Sequence, residues 1–160
     1  MKILPVLVTA LIAVVAARAQ VAFKEIRTAS DTTLVAVFES RNVTGPVWNR
    51  VNQTNEINTA DVSAWKLNGQ PVSAIDQFVT PSEFCDYHIY LHVAKLVNGA
   101  AYKLETPHGN TNFVFNDRTT LCESIKVNQN AYCAASKARY ANFAIWLGTG
   151  GASRIDGSLP

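Results

Sequence analysis

His88 and His92 stand four residues apart in Cys85-Asp86-Tyr87-His88-Ile89-Tyr90-Leu91-His92-Val93 and invite a chemical reading. On a helix that spacing would present both imidazoles to one metal ion. Here, however, Tyr87, Ile89, Leu91 and Val93 alternate with His88, Tyr90 and His92, the pattern of a half-buried strand. Four residues of strand separate side chains on one face by about 13 Å, too far to share an ion with ligand bonds of about 2 Å. The two histidines are therefore expected to be exposed or satisfied on the strand, and no metal or other cofactor is expected. Cys85 with His88, or Cys122 with His108, would supply a thiol and a base, but nucleophilic catalysis also needs a third, orienting group. The carboxylates Asp61, Asp76, Glu83, Asp86, Glu105 and Asp117 stand in no motif that fixes a pair across a cleft at the roughly 5 to 10 Å that glycoside hydrolysis requires. The chain by itself is not expected to be an enzyme.

Aromatic rings offer another chemistry, because a flat exposed ring gives sugar C–H groups an apolar platform beside hydrogen-bonding amides. Trp65, next to a hairpin, is expected in the core. Trp48, in an Asn-rich segment, and Tyr90, on the polar face of its strand, are the candidate saccharide contacts. The three cysteines, Cys85, Cys122 and Cys133, allow at most one intramolecular disulfide. Cys85 with Cys122 is the expected pair, since each borders a strand while Cys133 sits in a later turn.

An oxidising compartment is consistent with the N-terminus, where Lys2, the apolar run Ile3 to Ala16 and Ala17-Arg18-Ala19 read as a secretory signal peptide over residues 1–19. The apolar run is short of the roughly twenty residues a spanning helix needs. A secreted, extracellular protein with no membrane association after signal removal is expected. Asn42-Val43-Thr44 and Asn52-Gln53-Thr54 make Asn42 and Asn52 candidate glycosylation sites. The formal charge of +2 is spread without a basic stripe, so nucleic acid and polyanions in general are not expected partners.

These residues sit on short alternating runs with no sustained helical period. Val21 to Ile26 is a mediocre first strand, Thr33 to Phe38 a better one, and Asn68-Gly69 is the signal of a type I′ hairpin. Asp86 to Val93, Tyr102 to Thr106 and the run through Phe113 and Phe115 follow, separated by turns at Leu96-Val97-Asn98-Gly99 and Pro107-His108-Gly109-Asn110. Seven strands at this spacing predict an all-β, immunoglobulin-like Greek-key sandwich over residues 20–118.

After a polar interruption between Asn116 and Glu123, Ser124-Ile125-Lys126-Val127 alternates and Asn128-Gln129-Asn130 breaks it. Arg139 to Leu147 is then nearly continuously apolar and closes on Gly148, Gly150 and Gly151, as a strand buried on both faces would. Ile125, Lys126, Val127, Asn128, Gln129 and Tyr132, followed by Lys137 and an apolar strand, resemble the start of the immunoglobulin-like module that precedes the catalytic domain in family 9 glycoside hydrolases, the cellulase family. Ala131 stands where that family usually carries Gly. The resemblance implies that 119–160 holds the first strands of a second, incomplete sandwich module, with those six residues in structural roles and no catalytic residue to carry over. It also implies a non-catalytic accessory region of a secreted enzyme, partnered by polysaccharide or by a catalytic domain outside this chain. The alternative is a free-standing carbohydrate-binding or adhesion module. The apolar run is expected either to dock on the first module through Phe143, Ile145 and Trp146 or to remain exposed.

Overall fold

The computed structural model describes residues 21–40, 57–81, 85–127 and 141–153, with 135 and 137 as isolated positions. Within them lie ten strands and two single turns of 3-10 helix, and no α-helix. The strands are β1 (Val21–Ser30), β2 (Thr33–Ser40), β3 (Lys66–Leu67), β4 (Gln70–Pro71), β5 (Ala74–Pro81), β6 (Cys85–His92), β7 (Ala101–Thr106), β8 (Gly109–Val114), β9 (Ile125–Val127) and β10 (Ala141–Phe143). They form a four-stranded sheet in the order β1-β2-β6-β5, a second in the order β4-β3-β7-β8, and a ribbon of β9 with β10. All the pairings are antiparallel.

The two large sheets face each other because period-two alternation gives each an apolar face. From the first, Leu34, Ala36 and Phe38 on β2 and Tyr87, Ile89 and Leu91 on β6 point inward; from the second come Leu67 and Leu104, with Trp65 and Val72 beside them. Trp65 is fully buried, as expected. Its ring meets Phe38 edge-on at 5.9 Å, and its Nε1–H donates to the Asn58 carbonyl at 3.3 Å. Burying an indole of about 200 Å² contributes several kcal/mol, at about 25 cal/mol per Å². The β3–β4 hairpin turns on Asn68 (φ 50°) and Gly69 (φ 77°), the two positive φ values that a type I′ turn needs.

The outer face of the first sheet is also covered. Val35 and Val37 of β2 are completely buried, packed with Ala29, Tyr90 and Leu147, and Ile145 lies against them. β2 is thus buried on both sides, which accounts for its nearly continuous apolar sequence. The cover is a strap made of residues 121–127 and 141–153. At one end the Thr28 N–H donates to the Leu121 carbonyl at 2.9 Å and the Glu123 N–H donates to the Thr28 carbonyl at 2.7 Å. At the other end the Gln77 N–H donates to Thr149 Oγ1 at 3.1 Å, and the Thr149 hydroxyl donates to Asp76 Oδ1 at 3.0 Å. Thr28 belongs to β1 and Gln77 to β5, the two edge strands, so the strap crosses the sheet and covers part of each edge.

The strap departs from the expected strand buried on both faces. Regular pairing is limited to Ala141–Phe143, whose side chains are exposed; Ile145 and Leu147 turn to the sheet, while Phe143 and Trp146 remain exposed. Docking therefore runs through Ile145 and Leu147. A segment laid on one finished sheet has only one face to bury. Ile125, expected on a buried face, is 44% exposed, because among the described residues β9 pairs only with β10 and a two-stranded ribbon has no apolar layer of its own. Two of the closing glycines serve close approach: a Cβ on Gly148 (φ +67°) would lie 1.8 Å from the Gln77 carbonyl oxygen, and one on Gly150 would lie 2.4 Å from Asp76 Oδ2.

Candidate functional site

Alternation on β6 sends His88, Tyr90 and His92 to the outer face of the first sheet, where they meet the strap. At the centre is Glu123, held in place by its backbone bond to Thr28. Its Oε1 accepts from Arg27 Nη1 at 3.0 Å and from His88 Nδ1 at 2.8 Å, and its Oε2 accepts from the Tyr90 hydroxyl at 3.1 Å. Arg27 also bonds Glu25. Its Nε is buried without a hydrogen-bond partner among the described residues. Ser124 and Cys122 turn back toward β1, the Ser124 hydroxyl donating to the Ala29 carbonyl at 2.6 Å and Cys122 Sγ lying 3.1 Å from Ser124 Oγ.

Burial alone would raise the Glu123 pKa, but hydrogen bonding and charge from His88, then Arg27 and Tyr90, outweigh it and hold the carboxyl below its ordinary value. Burial, then the charge of Glu123, pushes the Tyr90 phenol far above its usual range. Desolvation opposes the Arg27 charge, but its bonds to Glu25 and Glu123 outweigh this and raise its pKa. An ionised carboxylate held by three donors follows.

Beside this cluster lies a cavity of about 630 Å³ between β5, β6 and the strap. Arg27, Lys126, Phe78 and Trp146 are among its walls, with Glu123, His88 and Ile125. Trp146 is 60% exposed and Phe78 38% exposed, so flat apolar surface and polar groups share one open pocket.

A hydroxyl, an imidazole and a carboxylate do fall in line here, with Thr80 Oγ1 3.4 Å from His88 Nε2. The Thr80 hydroxyl also has the Asp86 carbonyl as acceptor at 3.3 Å, and a contact of 3.4 Å is a weak one for proton transfer. The second acid–imidazole pair, Asp76 with His92 at 2.9 Å, receives the Thr149 hydroxyl on the acid, so that hydroxyl is not activated by the base. His88 and His92 thus each engage a separate carboxylate, and among the described residues no group of three or more His, Cys, Asp or Glu side chains is placed to hold a metal ion.

Several expected positions lie elsewhere. Tyr90 is only 2% exposed. It does face away from the core between the two sheets, but the strap covers that face, so it is not an open saccharide platform. Cys85 and Cys122 are not joined to each other. Cys85 is buried in the core between the sheets, whereas Cys122 lies across the outer face near Ala29, and no disulfide passes through a sheet. For the same reason Cys85 does not meet His88, three residues on and facing the other way. His108 packs its ring on Phe38 at 5.7 Å, on the core side, apart from Cys122. Asp61 caps a 3-10 turn by accepting from the Ser63 N–H, Asp86 pairs with Lys24 and Glu105 with Lys103. Ile125 and Lys126 line the cavity, and Val127 pairs with Ala141. Asn42, Trp48, Asn52, Glu83, Asn128, Gln129, Tyr132 and Cys133 lie outside the described residues.

Sequence reasoning missed Glu123, Arg27 and Trp146 as site residues. The only available signal was one acidic residue in Leu121-Cys122-Glu123-Ser124, and its partners come from strands far away in the chain. No protein family, curated protein or solved structure matches this chain.

Proposed function

We propose that the protein is a secreted, non-catalytic β-sandwich module that binds a saccharide in the cavity beneath the strap. The observation that supports this is the placement of Trp146 and Phe78, both partly exposed, on the walls of one cavity with Arg27, His88 and Lys126. Rings of this kind bury the apolar faces of a sugar while charged and polar neighbours bond its edge. The Glu123 cluster holds the wall in one conformation before a ligand arrives, which lowers the ordering cost of binding.

A second reading is an accessory region of a cellulase-like glycoside hydrolase. The β9–β10 pairing favours it, because Ile125, Lys126 and Val127 form a strand that returns through a second short strand, the order that the family resemblance implies. Affinity electrophoresis of the mature chain through gels containing neutral and acidic polysaccharides tests the binding reading. Retardation that Trp146→Ala removes is expected; unchanged mobility in every gel would overturn it. Incubation with soluble β-glucans is expected to release no reducing ends.

A further inference from the structure

We propose that two copies of this chain pair through β8, antiparallel about a two-fold axis at Asn112, so that their second sheets join into one. Among the described residues four strands end the two large sheets: β1 and β5 in the first, β4 and β8 in the second. Three of them carry a device that discourages pairing with another chain. β1 is interrupted by register shifts between Phe23 and Glu25 and between Thr28 and Ser30, holds Lys24, Glu25 and Arg27, and gives its Thr28 main chain to the strap. β5 ends on Pro81 and gives its Gln77 N–H to Thr149. β4 has only two residues, and the second is a proline. β8 has none of these: it pairs with β7 over its whole length without a register shift, and it contains no charged residue and no proline.

The pairing with β7 decides which main-chain groups of β8 point away from it. The Phe115 N–H donates to the Ala100 carbonyl at 3.0 Å, and the Phe115 carbonyl accepts from the Gly99 N–H at 2.8 Å. Bonded residues alternate in an antiparallel ladder, so Thr111 and Phe113 bond β7 while Asn110, Asn112 and Val114 turn their N–H and C=O groups outward. Among the described residues these outward groups have no partner. Asn110 and Asn112 are exposed and Val114 is 60% exposed, which leaves the edge open.

A second β8 fits this edge. An axis at Asn112 uses the whole strand: Asn112 meets its own counterpart and Asn110 meets Val114 in both directions, giving about six main-chain hydrogen bonds. On the other face Thr111 meets Phe113 twice, a β-branched residue against an aromatic ring, which is a favourable cross-strand pair. The Phe113 ring, stacked on Tyr102 at 5.5 Å, then continues the inner face of the sheet across the axis. A charged edge would require a partner of opposite sign, whereas an uncharged strand meets its own copy without repulsion. The two-fold arrangement is closed, so pairing stops at two copies.

The test is sedimentation velocity of the mature chain from about 10 µM to about 1 mM, the range suited to an interface of one strand edge, which is smaller than those of stable complexes. A reversible monomer–dimer equilibrium is expected. Asn112→Glu sets like charges against each other at the axis and should weaken dimerisation by about ten-fold or more. Within the chain that position stands opposite Lys103, so the thermal midpoint should not fall. Mixing Asn112→Glu with Asn112→Lys should restore dimers, because opposite charges then meet at the axis. Trp146→Ala should leave dimerisation unchanged. A chain that stays monomeric throughout would overturn the proposal and leave the edge to a partner other than a second copy. Dimers that survive Asn112→Glu, or that Trp146→Ala removes, would place the contact away from β8 and also overturn it. Species that grow beyond dimers would show an open contact and overturn the closed pair.

Discussion

Replacing Leu147 by Ala tests whether the strap is part of the folded unit. Leu147 is 6% exposed and seated on Ala29, Val35, Val37 and Tyr90. Leu→Ala at a buried site costs about 2–5 kcal/mol, made up of lost transfer energy and the cavity left behind. The low end applies, because the site lies under a single covering segment that can settle toward the sheet. A loss of about 2–3 kcal/mol lowers the melting temperature of a chain of this size by about 6–12 °C. Far-ultraviolet circular dichroism during heating would measure it, with Leu121→Ala as control: Leu121 is exposed, and surface changes of this kind stay within about 0.5 kcal/mol. Ending the chain at Glu123 should cost at least as much as Leu147→Ala, since the outer faces of Val35 and Val37 would then meet water. A Leu147→Ala midpoint indistinguishable from the control would refute the reasoning and mean that the strap does not rest on the sheet in solution.

Glu123→Gln should lower stability near neutral pH by about 1.5–3 kcal/mol, the scale of hydrogen bonds to a buried charge. The folded Glu123 carboxyl titrates below its ordinary value of 4.5, so its contribution is fully present above that value and is lost as pH falls through the lower folded value. The gap between wild type and variant should therefore narrow in acid, as a denaturation series over pH would show; a gap independent of pH would contradict the assignment. Gly148→Ala should destabilise more than Gly69→Ala: both have positive φ, but a Cβ at Gly148 strikes the Gln77 carbonyl while one at Gly69 meets nothing within 4 Å. Urea unfolding midpoints in the reverse order would count against the close approach. Non-reducing peptide mapping should yield no Cys85–Cys122 pair, and finding one would contradict their placement on opposite sides of the sheet.

Much of the sandwich was legible in the sequence because its signals are local. Thr33 to Phe38 is β-branched and apolar, Asn68-Gly69 specifies its turn, and Tyr87 to Val93 alternates in register with its inner face. The same alternation placed Tyr90 on the outer face correctly. What covers that face depends on residues some thirty to sixty positions farther along, and no local period encodes it. Trp146 and Leu147 are adjacent and equally apolar, so their sequence alone does not distinguish wall from anchor. Glu123 gave no motif because its partners, Arg27, His88 and Tyr90, come from β1 and β6. The glycines after Leu147 read as the end of a strand, since close packing against Gln77 and Asp76 leaves no other mark in the sequence.

The attachment of the strap at two separated points governs how the strap leaves the sheet. While the end at Glu123 is engaged, Thr149 remains tethered near Asp76, and its effective local concentration far exceeds that of a free segment. Breaking one end is therefore followed by rapid return, and complete release requires both ends to be undone together. The strap as a whole is therefore slow to leave even though each attachment by itself is a small set of hydrogen bonds.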